Sequence, residues 1–384
     1  MKSKIDRMNG GSSVCQCGHP HHTVEMECVI GRGVLVQVST YLNENNYSKP
    51  HIIADDHTFK AAGERLKEQL EGHDIPCSVT RLKPNAAGDV LADGDSILQL
   101  LSELIPDVQL LIAVGSGTIH DIVRFVSYKT GIPFISVPTA ASVDGFTSAG
   151  APLIIHQFKQ TIQAVPPKAI FADTEILVKA PKALTAAGFG DMLGKFTSLA
   201  DWIISREMGQ EPFCPLAYEW TKEALDACVE YAEEIASGSE KGIQILMESL
   251  ILSGLSMLMI DHSRPASGGE HHISHMWEMD FILNGRKQLL HGAKVGVATI
   301  LLTPLYHRLA SEKPGSAFEV YASIPEAEQI ASWMRAAGGP TTPEELGISE
   351  ELVTDALLRA PDIRQRYTGL KYIRDHMPIW LKKR

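Results

Sequence analysis

The sequence predicts an α/β amino-terminal domain on a parallel, Rossmann-like sheet, followed by an all-α carboxy-terminal domain. Short β-branched runs alternate with helical periods up to Asp173, the pattern of a parallel sheet with helices on its faces. Strand signals almost vanish after residue 173, while helical periods continue to the end. At 384 residues the chain also exceeds one domain of ordinary size.

Taken in order, residues 1–23 are polar and aperiodic and read as a loose tail. Residues 29–38 are strand-like and 51–54 form a short buried strand. Residues 59–70 place apolar or small side chains at helical spacing, and 77–82 are strand-like. Residues 97–104 and 119–129 read as helices, and 108–114 and 133–137 as apolar strands. Helices then cover 180–208, 215–235, 242–261, 267–283, 293–310, 324–336, 349–360 and 367–377. The expected division is a tail over 1–23, an α/β domain over 24–180 and a helical domain over 181–384.

Composition excludes several classes of function. Hydrophobic residues at 44% and charged residues at 21% fit a soluble protein with a substantial core. A net charge of -11 repels polyanions, so neither nucleic acid nor an anionic membrane is expected as the main partner. A small anion in a local basic pocket stays compatible. Six cysteines are too few for a disulfide-built scaffold and suit a reducing, cytoplasmic setting. The first residues lack the apolar core of a signal peptide. The apolar stretch 242–260 contains Gln244, Glu248 and three serines, so a buried helix is expected there and not membrane insertion.

Several segments could carry chemistry. The strand at 108–114 runs into Gly115-Ser-Gly-Thr-Ile-His-Asp121, a glycine turn opening a helix. Such a turn lets a phosphate meet helix N-terminal N–H groups, although the third glycine of a dinucleotide fingerprint is missing and a plain strand–helix turn fits too. A second loop follows 134–137 with Pro138-Thr-Ala-Ala-Ser142-Val-Asp144-Gly-Phe-Thr-Ser148, at a strand's carboxyl end where open sheets bind ligands. Asp55 follows the 51–54 strand, where it can accept bonds from ribose hydroxyls or cap the next helix. In Ser267-Gly-Gly-Glu-His271-His272-Ile-Ser-His275, His271 and His275 share one helical face. His291 beside Gly292, and Asp191 within Gly188-Phe-Gly-Asp-Met-Leu-Gly-Lys195, complete a possible set for a divalent ion with an open position.

Together, residues 115–121, 139–148, 188–195, 263–275 and 290–296 resemble the glycerol-1-phosphate dehydrogenase family, in particular its bacterial branch. The likeness runs from about residue 25 to 309. It places the chain with the metal-dependent alcohol dehydrogenases and dehydroquinate synthase, which join an α/β nucleotide domain to a helical metal domain. The resemblance implies reversible NAD(P)-linked reduction of dihydroxyacetone phosphate to sn-glycerol 1-phosphate, with one divalent ion, Zn2+ or Ni2+, polarising the C2 oxygen. By motif position it implies Asp191, His271 and His291 as metal ligands, with Asp144, Asp191 and His275 facing the substrate. Asp144 and His275 are then the rival proton-handling residues. Gly117, Thr118, Ile119, His120, Asp121, Thr139, Ala140, Ala141, Ser142 and Ser148 would hold NAD(H) or NADP(H), with Asp55 at the adenosine ribose. A cationic handle for the phosphate is expected from Lys195, Arg264 or Lys294, and a homodimer is the family's habit. The alternatives are a polyol dehydrogenase or a dehydroquinate synthase-like lyase. Outside this assignment stands Cys15-Gln-Cys17-Gly-His19-Pro-His21-His22, a dense run of soft ligands in the tail.

Overall fold

The computed structural model describes residues 15, 17, 18, 21, 26–156 and 158–382. Its strands are β1 (Glu27–Gly31), β2 (Pro50–Ala54), β3 (Ser78–Arg81), β4 (Leu110–Gly115), β5 (Phe134–Pro138), β6 (Gly150–Ile155), β7 (Phe158–Gln163) and β8 (Ala169–Asp173). Six of them form one sheet in the order β1-β8-β5-β4-β2-β3, parallel throughout. Neighbouring side chains on one strand go to opposite faces. Ile52 and Ile112 accordingly join one core layer with Phe171, while Ile53 and Leu111 join the other. Helices α1 (Gln37–Glu44) and α2 (Glu64–Gly72) add Val38, Leu42 and Leu66 to the first layer. Helices α3 (Gly94–Glu103) and α4 (Gly117–Thr130) add Leu100, Ile122 and Val126 to the second.

The strand expected over 29–38 ends at Gly31. Gly33 takes a φ of 69°, open to glycine at little cost, and the chain turns there. The Asp173 carboxylate accepts the N–H groups of Gly33 and Leu35 at 2.9 and 3.1 Å, which fixes the turn, and a helix follows. The antiparallel β6–β7 hairpin was not foreseen in the sequence. Its second strand is mostly exposed and polar, so it shows no apolar run.

Among the described residues no strand follows Asp173. The helices of eight or more residues that follow are α5 (Lys182–Leu193), α6 (Lys195–Gly209), α7 (Pro215–Glu230), α8 (Glu240–Ile260), α9 (Gly269–Leu283), α10 (His291–Glu312), α11 (Ala327–Ala336), α12 (Glu350–Arg359) and α13 (Gly369–His376). Among them α8 alone is long and apolar enough to cross a bilayer, and 72% of its apolar window is buried inside the fold. Its Leu246, Leu250 and Leu255 serve the helical core.

Glycines set how close α5 comes to its neighbours. A Cβ at Gly292 would lie 1.7 Å from the Ala187 carbonyl oxygen, and one at Gly188 would lie 2.0 Å from the Ala141 oxygen. Any larger residue would therefore push α5 away from α10 or from the loop after β5. Those two contacts bring Asp191, His291 and the 139–148 loop together.

Candidate active site

The strand order places a crevice at the carboxyl ends of β2 and β4. The chain leaves β2 toward β3 and leaves β4 toward β5, on opposite sides, and open α/β sheets bind ligands at such a reversal. A cavity of about 940 Å³ lies there, walled by Asp55 after β2, by Ser116, Gly117, Thr118 and Ile119 after β4, and by Ser142 and Ser148 after β5. Gly115 pairs with Pro138 in register, so the β4 and β5 loops start side by side. Asp55 also caps the helical turn that follows, accepting from the Thr58 N–H at 2.7 Å, so the capping role is realised at the cavity rim. Asp121 lines the wall and pairs with Arg124 at 2.7 Å.

At the helical end His271, His275 and His291 reach the same cavity, with Asp191 buried behind them. One ligand atom each from Asp191, His271 and His291 lies within 4.8 Å of the others. One carboxylate and two imidazoles suit a divalent transition ion with an open position. The surroundings fit that use. His271 Nδ1 meets Glu270 Oε1 at 2.7 Å, leaving Nε2 turned toward Asp191 at 3.6 Å. Carboxylates commonly orient metal-binding histidines in this way. Glu270 is itself held by Thr197 Oγ1 and the Gly268 N–H, both at 2.6 Å.

Burial alone would raise Asp191, but Lys195 and the two imidazoles hold its carboxyl well below the usual range. Burial pushes His291 down to about 3, leaving a neutral ligand nitrogen. Exchanging Glu270 for Gln is expected to weaken metal binding roughly 10–100-fold, the usual effect of losing such a partner. Competition with a chromophoric chelator measures this, and unchanged affinity would contradict the role.

The three cations expected to meet a phosphate are engaged elsewhere. Lys195 is fully buried, with Nζ 2.9 Å from Asp191 Oδ1 and 2.8 Å from Asp144 Oδ2. Arg264 pairs with Glu211 at 2.6 Å, and buried Lys294 faces Glu278 at 3.3 Å. None of the three is on the cavity wall. Arg364 and Arg366 line it instead, from the connection between α12 and α13. Arg364 reaches Ser263 Oγ, Ser267 Oγ and His275 Nε2 at 3.2–3.4 Å. Arg366 donates to the Ser267 carbonyl and to Ser263. Among the described residues no carboxylate lies within ion-pair distance of either. Burial, and then Arg364 beside it, pushes Arg366 down.

Other expected cofactor residues stand off the wall. Thr139 donates its N–H to the Gly115 oxygen at 3.0 Å, and neither it nor Ala140 or Ala141 faces the cavity. His120 turns inward, with Nδ1 2.8 Å from the Ser116 oxygen and Nε2 2.5 Å from Ser136 Oγ. Its place is in the packing of α4 on the sheet. Burial pushes it down to about 3. The unfolded chain takes up this proton near pH 6.5, so stability is complete above that and falls as pH drops. From pH 7 to pH 5 the loss is about 2 kcal/mol. His120→Gln, which cannot titrate, is expected to lose about 2 kcal/mol less over that interval in urea unfolding. Equal losses would contradict this.

Known proteins match this chain in sequence and in fold. Residues 29–181 match the family model described as iron-containing alcohol dehydrogenase. The glycerol dehydrogenase structure from Schizosaccharomyces pombe superposes with a TM-score of 0.69, covering 93% of this chain and 90% of that one at 22% identity. The fold is thus that of the metal-dependent alcohol dehydrogenases. A Bacillus licheniformis protein named glycerol-1-phosphate dehydrogenase (NAD(P)+) is 50% identical, covering 98% of this chain and 96% of its own length. Its Bacillus subtilis namesake is 46% identical, with 92% of each chain covered. The chain belongs to the glycerol-1-phosphate dehydrogenase family, and that membership implies a nicotinamide cofactor and a metal ion.

Proposed function

We propose that this chain reduces dihydroxyacetone phosphate to sn-glycerol 1-phosphate with NADH or NADPH, reversibly, in the cytoplasm and as a homodimer. The observation that carries the reading is one cavity that joins three chemistries: a glycine turn at a helix start, a His2Asp donor set reaching it through His271 and His291, and two guanidinium groups with no carboxylate at ion-pair distance among the described residues. Six cysteines in 384 residues, too few for a disulfide-built scaffold, support a reducing compartment.

Asp191, His271 and His291 would hold a divalent ion, zinc or nickel. When bound, the ion supplies Lewis acidity toward a ketone oxygen and the nicotinamide supplies the reducing equivalent. The chain's own residues do the rest. The N–H groups opening α4 receive the cofactor's phosphates, and Asp55 accepts from its ribose. Arg364 and Arg366 hold the substrate phosphate, because guanidiniums that no described carboxylate neutralises can each offer two N–H donors to anionic oxygens.

Reduction of a ketone also takes up one proton at oxygen. Asp144 is the better placed of the two candidates to handle it. It lines the cavity, and burial, with Asp191 beside it, pushes its carboxyl up toward the protonated form. His275 accepts a bond from Arg364, and burial holds it well below its usual range, so it stays neutral and positions the guanidinium.

The product's handedness tests the reading. Glycerol phosphate formed from dihydroxyacetone phosphate and NADH should be refused by an enzyme specific for sn-glycerol 3-phosphate. Quantitative consumption by that enzyme would overturn it.

A further inference from the structure

We propose that Cys15, Cys17, His21 and Cys214 form a second metal site, a tetrahedral Cys3His centre for zinc that fastens the amino-terminal segment to the helical half. This centre takes no chemical part in the proposed reaction. One ligand atom from each of the four residues lies within 4.8 Å of the others. Cys15 Sγ is 3.6 Å from Cys214 Sγ, Cys17 Sγ is 3.2 Å from His21 Nε2, and Cys214 Sγ is 3.4 Å from His21 Nε2. Zinc held about 2.3 Å from sulfur and about 2.0 Å from nitrogen gives tetrahedron edges of roughly 3.5–3.8 Å, close to this spacing. A disulfide needs about 2.0 Å between sulfurs, so Cys15 and Cys214 are not bonded. His19 and His22 of the same run lie outside the described residues.

The donor set differs in kind from the one in the cavity. Three thiols and one imidazole select a thiophilic ion, and four protein ligands leave no position for a substrate, so the role is structural. Cys214 comes 199 residues after Cys15, so the ion would close a loop spanning both halves of the fold. Cys214 is buried at the start of α7, and its sulfur accepts the Ala217 N–H at 3.4 Å, which fixes the direction of the thiol.

The anchored segment also supports the cavity. Glu211, three residues before Cys214, accepts from Arg264 and from the Tyr367 N–H, each at 2.6 Å. Tyr367 directly follows Arg366, so the centre steadies the connection that carries both cavity arginines.

The test uses the full chain, purified under reducing conditions, stripped of metal and titrated with Co2+. Thiolate-to-cobalt charge-transfer absorption is expected in the parent chain and, undiminished, in His271→Ala. It should disappear in Cys17→Ser and in Cys214→Ala, each binding one equivalent fewer. Cys17 is partly exposed, so its exchange keeps the fold intact while the midpoint of thermal unfolding drops by several degrees. No charge-transfer band in the parent, or a band that survives both cysteine exchanges, would overturn the proposal. A Cys15–Cys214 disulfide that persists in protein purified under reducing conditions would do the same.

Discussion

Replacing His271 with Ala is expected to lower turnover of dihydroxyacetone phosphate by roughly 10³-fold or more, the kinetic equivalent of the several kcal/mol a Lewis acid contributes. The effect should come through the ion. His271 is one of three donors, and its Nδ1 is already committed to Glu270, so no other nitrogen of the ring can substitute for Nε2. The variant should lose the ion of the cavity and yet bind NADH with nearly parental affinity, because the cofactor's expected contacts lie on the β2, β4 and β5 loops. Metal analysis of the cobalt-free protein, paired with NADH fluorescence titration, separates the two. Full activity with bound metal would refute the ligand assignment, and loss of NADH binding would show a wider collapse of the site.

The second large effect is expected at Arg364 and Arg366. Removing one charge-assisted partner of a bound anion costs about 1.5–3 kcal/mol, which is roughly 10–150-fold. Arg366→Ala should therefore raise KM for dihydroxyacetone phosphate by that factor with a smaller change in kcat. Activity on unphosphorylated dihydroxyacetone should change little. Arg364→Ala should act similarly on KM and also lower kcat, because Arg364 bonds His275. Lysine at position 366 should recover part of the loss, since it restores charge but not the two-pronged geometry. Equal losses on the phosphorylated and unphosphorylated ketones would assign both arginines to packing.

What was legible in the sequence follows from locality. The glycine turn at 115–117, the Asp191 segment and the two histidine segments each place glycines within a few residues of a candidate site residue. Gly188, Gly190 and Gly292 are there because helix α5 must approach α10 and the 139–148 loop at backbone contact. The alternation of strands and helices up to β5 was equally plain, because β2, β4 and β5 are buried throughout and mostly apolar, whereas the buried β8, closed by Asp173, was not read.

The parts that were misread depend on contacts distant in sequence. Lys195, Arg264 and Lys294 looked available for a phosphate because a cation in a motif does not reveal its partner. Asp191 with Asp144, Glu211 and Glu278 neutralise them in the fold. Arg364 and Arg366 sit in a short connection without periodicity, and only the return of the chain between α12 and α13 carries them to the cavity. Glu270 was in plain view within Gly-Gly-Glu-His-His, and its position directly before His271 was the available signal for an orienting carboxylate. Cys214 gave no signal beside Cys15 and Cys17, since 199 residues separate it from the first of them. The strand forecast over 29–38 failed for a local reason, the left-handed turn at Gly33.

The most direct test of the central claim is NADH oxidation by protein stripped with a chelator, before and after zinc or nickel is restored. Dihydroxyacetone phosphate and dihydroxyacetone are supplied in parallel. The account predicts turnover that returns with the metal and strongly prefers the phosphorylated ketone. Metal-independent turnover, or metal-dependent turnover of dihydroxyacetone alone, would contradict it.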